Sequence, residues 1–181
     1  MTLTNDELEQ RLREIKLLIC DVDGVLTDGG IFLGHEEEYK RYDSRDGSGL
    51  KYLMRSGVQV ALLTGRRSQS VERRAAELGI SLVRQRALKK LPVFVELLEE
   101  AGVTARQAAY VGDDLVDLPP MRAAGLGVAV ADAAADVREY ADLVTEREGG
   151  HAAVRELIEL IMKAQGKWAA VVDSYLEQEP A

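Results

Sequence analysis

A doubly wound parallel α/β sheet is the fold class that the sequence predicts, and three observations predict it. Apolar runs short enough for buried strands recur at residues 17–20, 58–63, 80–83, 108–111 and 126–130. Segments of helical periodicity separate them, and strands alternating with helices call for parallel pairing with helices on both faces. Several runs end abruptly in polar residues, where open α/β sheets place their chemistry. The 181 residues suit one domain with a sizeable core, and 46% hydrophobic and 30% charged residues are ordinary for a globular chain.

Charge and cysteine usage narrow the classes further. A formal net charge of −8 argues against broad binding to nucleic-acid phosphates or anionic membranes. Cys20 is the only cysteine, which excludes an internal disulfide and points to a reducing compartment. The segment from Met1 to Gln10 has no apolar signal-peptide region. No apolar run approaches the roughly 18–20 residues of a membrane span. A cytoplasmic domain is therefore expected.

The elements follow in order. Asn5-Asp6-Glu7 cap a short helix that carries Leu8, Leu12 and Ile15 at helical spacing. The first strand, Leu17 to Cys20, runs into Asp21-Val22-Asp23-Gly24. Two short β-like runs between Gly29 and Tyr42 flank a polar turn at Gly34-His35-Glu36-Glu37, which reads as a hairpin insertion over about residues 27–42. Arg45-Asp46-Gly47-Ser48-Gly49 reads as a loop leading into a helix from Leu50 to Ser56, stopped by Gly57. The second strand ends in Thr64-Gly65-Arg66, and a polar helix from about Ser68 to Leu78 stops at Gly79. After the third strand, a basic stretch from Arg84 to Lys90 enters a helix over about Leu91 to Glu100, stopped by Gly102. The fourth strand ends in Gly112-Asp113-Asp114-Leu115-Val116-Asp117, and Pro119-Pro120 open a short helix to Ala124. A fifth strand, a helix from Asp132 to Tyr140 and a short sixth strand at Leu143-Val144 complete the sheet. A helical tail covers about residues 152–178, with Leu157, Ile158, Ile161 and Met162 on one face and a break at Gly166 before Trp168.

Right-handed crossovers bring the strand ends to one edge of the sheet. There Asp21 and Asp23, Thr64, Lys90, Asp113, Asp114 and Asp117 would form a pocket. Two carboxylates spaced by one residue at a buried strand end are costly unless a cation or a proton shares the site. An oxygen-rich site of this kind selects Mg²⁺. A lysine and free N–H groups suit a phosphoryl group. Metal, phosphate and a carboxylate nucleophile together read as phosphoryl transfer through an aspartyl-phosphate.

At these residues the chain resembles the haloacid dehalogenase superfamily. The matching motifs, in order, are Asp21-Val22-Asp23-Gly24, Thr64, Lys90, and Gly112-Asp113-Asp114-Leu115-Val116-Asp117. The resemblance implies a Rossmann-like core, Asp21 as nucleophile and Mg²⁺ ligand, and Asp23 as general acid/base that also gives the metal its backbone carbonyl. It implies that Thr64, Gly65 and Lys90 hold the phosphoryl oxygens. Asp113 would bind Mg²⁺ directly, with Asp114 beside it and Asp117 behind, paired with Lys90. The superfamily usually has Asp or Asn before its lysine, whereas Lys89 stands here. The doublet leaves the lysine open by one residue, and the spacing to Leu91 selects Lys90. Neither the interval after Asp23 nor that between Thr64 and Lys90 holds a cap domain, so only the hairpin stands in for one. An open site either takes a bulky substrate or is closed by another subunit.

A finer resemblance is to the phosphatases of 3-deoxy-D-manno-octulosonate 8-phosphate, enzymes of lipopolysaccharide precursor synthesis. It rests on Asp21 to Gly29, Arg45-Asp46-Gly47, Leu63 to Arg66, Tyr110 to Asp114, and Gly149 to Glu156, where Ala152 replaces a glycine. It implies a homotetramer in which the hairpin of one subunit covers the site of the next. It also implies that Arg66 and Arg74 meet the sugar-acid carboxylate, which suits a guanidinium fork. A related branch acting on a nine-carbon sugar acid phosphate tends to be acidic at position 66, so Arg66 favours the eight-carbon substrate. The alternatives are the nine-carbon or a promiscuous sugar phosphatase, or a non-catalytic oligomeric module. Arg67 and Arg73 read as exposed helix charges, His35 and His151 as non-catalytic, and Cys20 as a core residue. The cluster at Trp168, Val171, Val172 and Tyr175 reads as core or subunit contact.

Overall fold

A computed structural model describes residues 3–35 and 38–177. Glu36 and Glu37 of the expected hairpin turn lie outside the described residues, as does Gln178 at the end of the tail. The strands are β1 (Leu17–Cys20), β2 (Phe32–Leu33), β3 (Glu38–Tyr39), β4 (Gln59–Leu63), β5 (Leu82–Arg84), β6 (Ala108–Gly112), β7 (Leu126–Ala129) and β8 (Leu143–Val144). The helices are α1 (Asn5–Glu14), α2 (Ser44–Arg55), α3 (Gln69–Leu78), α4 (Lys90–Ala101), α5 (Leu118–Ala123), α6 (Ala135–Tyr140), α7 (Ala153–Ala164) and α8 (Trp168–Leu176).

Six strands form one parallel sheet in the order β5-β4-β1-β6-β7-β8. Every residue of β1, β6 and β7 is buried, as the near-continuous apolar runs require of strands covered on both faces. Helices α1, α2, α3 and α7 pack with one another, and α4, α5 and α6 form a second group. Strand order runs outward from β1 to β5 and then restarts on its other side at β6, so the switch point lies at β1. That is where an open α/β sheet leaves a crevice at its carboxyl edge. The hairpin β2–β3 pairs Phe32 with Tyr39 and Leu33 with Glu38, and a bridge between Thr27 and Tyr42 closes its base.

Two expectations need correcting. The cap of α1 is Thr4, not Asn5: its hydroxyl accepts from Glu7 N–H at 3.3 Å, and Glu7 Oε2 accepts from Thr4 N–H at 2.9 Å. Residues 45–49 are helical rather than a loop. Asp43 accepts from Arg45 N–H at 2.7 Å, and α2 begins at Ser44. Gly47 and Gly49 lie inside this helix because neighbours press on it. A Cβ at Gly47 would collide with the Arg74 guanidinium, and one at Gly49 would crowd Arg155 and Ile158. A mid-helix glycine costs about 1 kcal/mol relative to alanine, and close packing offsets that here. Asp46, buried in the same turn, accepts from Arg155 N–H at 2.7 Å and so caps α7. Burial pushes its carboxyl up to about 6, against the opposing pull of that N–H.

Smaller shifts occur at strand and helix ends: the third strand covers Leu82–Arg84, and α6 begins at Ala135. Trp168 and Val171 of α8 pack against the core, whereas Val172, Tyr175 and Leu176 are exposed. Ala152, at the glycine position of the resemblance, has φ +73°, a left-handed backbone that an L side chain adopts at a cost of about 1–2 kcal/mol. Among the described residues no helix is long and apolar enough to cross a membrane.

Candidate active site

The central strands deliver the polar groups to one point. Asp21 follows β1, and its N–H donates to Val111 O of β6 at 3.0 Å, which continues the ladder one residue past the strand. Thr64 follows β4 in the same way, its N–H donating to Arg84 O at 2.9 Å. The chain then turns sharply. Val25, Leu26 and Thr27 N–H groups lie at Val22 O, and Gly24 takes φ +88°. A Cβ at Gly24 would collide with the Asp113 carboxylate, so the glycine of the Asp21–Gly24 motif lets the ends of β1 and β6 meet. Gly150 N–H donates to Val25 O at 2.9 Å, so the Gly149-Gly150 loop packs on the same turn.

Lys90 opens α4 and is almost wholly buried, while Lys89 is exposed at the helix cap. Of the doublet, Lys90 is the one that the fold brings to the carboxylates. Lys90 Nζ donates to Asp117 Oδ1 at 2.6 Å and lies 2.9 Å from Asp21 Oδ1. Asp117 is fully engaged. Tyr110 O–H donates to its Oδ1 at 2.7 Å, and the N–H groups of Asp113 and Asp114 donate to Oδ2 at 3.1 and 3.2 Å. Asp114 sits beside the site, with its exposed carboxylate accepting from Leu115 N–H at 2.8 Å.

The electrostatics of this cluster are unbalanced. Burial pushes Asp21 up to about 7, with the Asp117 charge adding and Lys90 opposing. Burial pushes Asp113 up to about 8, with Asp21 and Asp117 adding. Lys90 is raised because its pairing with Asp21 and Asp117 outweighs the opposing effect of burial. One ammonium does not neutralise this much buried carboxylate.

The residues fit a divalent cation. Carboxylate oxygens of Asp21, Asp113 and Asp117 lie within 4.8 Å of one another. Among the described residues, Asp113 Oδ1 is buried and accepts no hydrogen bond, while Asp21 Oδ1 and Asp23 Oδ2 face only the Lys90 ammonium at 2.9 Å and Arg66 Nε at 3.9 Å, an arrangement that is costly unless a cation joins it. Asp117 belongs to the cluster by distance, but its oxygens already have donors, so Asp21 and Asp113 are the side chains with capacity to spare. Linkage gives this a measurable sign. Both folded-state values lie above the ordinary 3.8, so the metal-free fold holds extra protons and loses stability as pH rises through that window. A cation that replaces those protons therefore stabilises more at high pH. Millimolar Mg²⁺ is expected to raise the melting temperature clearly at about pH 8.5 and little at about pH 5. Equal shifts at both would contradict the cluster as its binding site.

A second group of charges surrounds Asp23. The Lys40 ammonium, its side chain wholly buried, pairs with Asp23 Oδ1 and lies 2.7 Å from Glu38 Oε1. Arg66 Nη2 donates to Glu38 Oε2 at 2.6 Å, and Arg66 Nε lies 3.9 Å from Asp23 Oδ2. Burial works to raise Glu38, but Lys40 and Arg66 outweigh it and hold the carboxyl below its usual range. Arg66 thus reaches the rim of the site. Arg74 does not touch either cluster. It pairs with Glu77, donates to Asp43 O and stacks on the Tyr42 ring, lining a cleft of about 360 Å³ beside Glu38 and Lys40. Glu38, Lys40 and Tyr110 are not among the site residues that the sequence singles out. Its available signal for the first two was Glu38-Tyr39-Lys40, since residues two apart share one face of a strand.

The profile of the haloacid dehalogenase-like hydrolases matches residues 35–125. The 3-deoxy-D-manno-octulosonate 8-phosphate phosphatase KdsC of Yersinia pestis is 47% identical over 163 residues, 90% of this chain and 87% of that protein. A probable YrbI family phosphatase from Pseudomonas syringae pv. phaseolica superposes with a TM-score of 0.93 at 46% identity, covering 97% of this chain and 100% of that one. The 3-deoxy-D-manno-octulosonate 8-phosphate phosphatase of Moraxella catarrhalis, solved with magnesium, phosphate and KDO, gives a TM-score of 0.92 at 42% identity, covering 95% of this chain and 99% of that one.

Proposed function

The chain belongs to the haloacid dehalogenase-like hydrolases, and we propose that it hydrolyses 3-deoxy-D-manno-octulosonate 8-phosphate to the free sugar acid and inorganic phosphate. The observation that carries the reaction type is the buried set of Asp21, Lys90 and Asp113, with carboxylate oxygens left for a cation and one ammonium for a phosphoryl group. The likeness to phosphatases of this substrate extends over most of the chain and supports the substrate class. In this reading the protein is a single phosphatase domain of the cytoplasm that serves lipopolysaccharide precursor synthesis.

Asp21 attacks phosphorus, and the bond from phosphorus to the sugar oxygen breaks. Asp23 protonates the departing oxygen. Water then attacks the aspartyl-phosphate and gives its proton to Asp23, and the bond from phosphorus to Asp21 breaks to release phosphate. Thr64, Gly65 and Lys90 hold the phosphoryl oxygens, and Arg66 faces the substrate carboxylate, with Arg74 further out along the cleft. Asp21, Asp113 and the Asp23 carbonyl would hold Mg²⁺, which would supply neutralisation of phosphate and carboxylate charge. Asp114 and Asp117 support that set from outside it.

The test is phosphate release from a panel of sugar phosphates with and without Mg²⁺. The eight-carbon acid phosphate should show the highest kcat/KM and depend on the metal. A higher value for the nine-carbon acid phosphate, or no Mg²⁺-dependent release from any member, would refute the assignment.

The assembly proposed is a homotetramer in which a neighbour's hairpin closes each site. The hairpin exposes Ile31, Phe32, Leu33 and Tyr39, with Leu33 81% accessible. The sheet edge that carries the carboxylates exposes Leu88 and Leu91 after β5, and Leu115 and Val116 after β6. Two such apolar surfaces on one chain favour self-association. Leu33→Asp should yield a smaller particle in sedimentation and lower kcat/KM about tenfold or more through a wetter site. A monomeric parent protein of full activity would defeat this reading.

A further inference from the structure

Asp23 and the three charges around it, Glu38, Lys40 and Arg66, close into a ring with a consequence for recognition. Asp23 and Glu38 alternate with Lys40 and Arg66, so the ring has no net charge. Its members come from three places: the turn after β1, the hairpin, and the loop after β4. Arg66 is the half-exposed member, with 48% of its side chain accessible, and Glu38 Oε2 already holds its Nη2, the nitrogen shared by both faces of the guanidinium fork, at 2.6 Å. A guanidinium fork receives one carboxylate bidentately. A substrate carboxylate arriving at Arg66 therefore meets a carboxylate already in place.

We propose that Glu38 is an internal stand-in for the substrate carboxylate, holding Arg66 in the free protein and yielding it to the incoming sugar acid phosphate. The proposal rests on the reading of Arg66 as the carboxylate anchor. Exchange is inexpensive for two reasons. A pair this exposed on its cationic side contributes little to stability. Lys40, buried between Asp23 and Glu38, remains as a counter-ion when Arg66 leaves, so Glu38 is not left as an unpaired buried charge. A substrate without a carboxylate does not compete with Glu38 at Arg66, so the competition bears on acids alone. Because Glu38 belongs to β3, the exchange also ties substrate binding to the hairpin.

Glu38→Gln keeps the shape and removes the charge. Its KM for 3-deoxy-D-manno-octulosonate 8-phosphate should fall about two- to fivefold, while its KM for glucose 6-phosphate, which has no carboxylate, stays level. Disturbance passed through Lys40 to Asp23 would appear in kcat for both substrates alike, so the ratio of the two KM values isolates the exchange. Arg66→Met is measured alongside. If Arg66→Met removes the preference for the acid and Glu38→Gln does not lower the KM ratio, Glu38 is no stand-in although Arg66 remains the anchor. If Arg66→Met leaves the preference intact, the anchor reading falls and the proposal with it.

Discussion

Asp21→Asn is expected to abolish turnover while the fold stands. Asn is nearly isosteric, and its amide can turn its carbonyl oxygen toward Lys90, which keeps Asp117 as its partner at 2.6 Å. What is lost is the nucleophile, and one of the buried oxygens available to a cation. A fall in kcat of about 10⁴-fold or more follows from deleting a nucleophile in a site whose groups act together. Stability should move the other way. Burial lifts the wild-type carboxyl to about 7. The metal-free wild type therefore loses stability as pH rises from about 4 to 8, and the amide variant lacks that component. The variant should equal or exceed the parent in urea unfolding without metal at about pH 8.5, with the difference shrinking at about pH 5. Phosphate release near the wild-type rate would remove the aspartyl-phosphate mechanism. An unfolded variant would show instead that this carboxylate has a structural role that its contacts do not reveal.

How much of this was legible in the sequence depends on whether a residue acts through the main sheet or across it. Asp21, Thr64, Lys90 and Asp113 each follow or precede an apolar run or helix whose identity is plain, so their convergence at the switch point follows from topology alone. Glu38 stands on a two-residue strand of an exposed hairpin, and Lys40 follows just after it. There, charges read as solvated, and only the fold over Asp23 buries the Lys40 side chain. Tyr110 looked like one more large core residue in β6, because nothing local says that its hydroxyl ends on Asp117. The misreading of residues 45–49 has the opposite origin. Two glycines within five residues are a loop signal by local propensity, but here they mark where Arg74 and Arg155 approach a helix. Propensity cannot separate these cases, since the deciding atoms lie far along the chain.

Lys90→Met tests the same cluster from its cationic side and should damage both stability and activity. Lys90 Nζ is the ammonium between Asp21 and Asp117, and its removal leaves two buried carboxylates facing each other and Asp113. Breaking a buried pair by deleting one partner costs about 3–5 kcal/mol. The pH dependence identifies the cause. Without the ammonium, Asp21 and Asp113, which burial already raises and Lys90 opposes, rise further above their ordinary values. The folded state then binds more protons, and its deficit relative to the parent widens from about pH 5 to about pH 8.5. A packing defect from the methionine would cost the same at both. Mg²⁺ should recover part of the lost stability, because it too neutralises these oxygens. It should not recover turnover. The phosphoryl group loses a fixed donor that acts in a water-poor site, a loss expected to lower kcat/KM by about 10²–10³-fold. Lys90→Arg should fare little better, since a planar fork does not fit where a compact ammonium lies between two carboxylates. Urea titrations at the two pH values, each with and without Mg²⁺, together with phosphate release, separate the outcomes. A deficit that ignores pH, or full activity once Mg²⁺ restores the fold, would show that Lys90 neither balances the carboxylates nor holds the phosphoryl group.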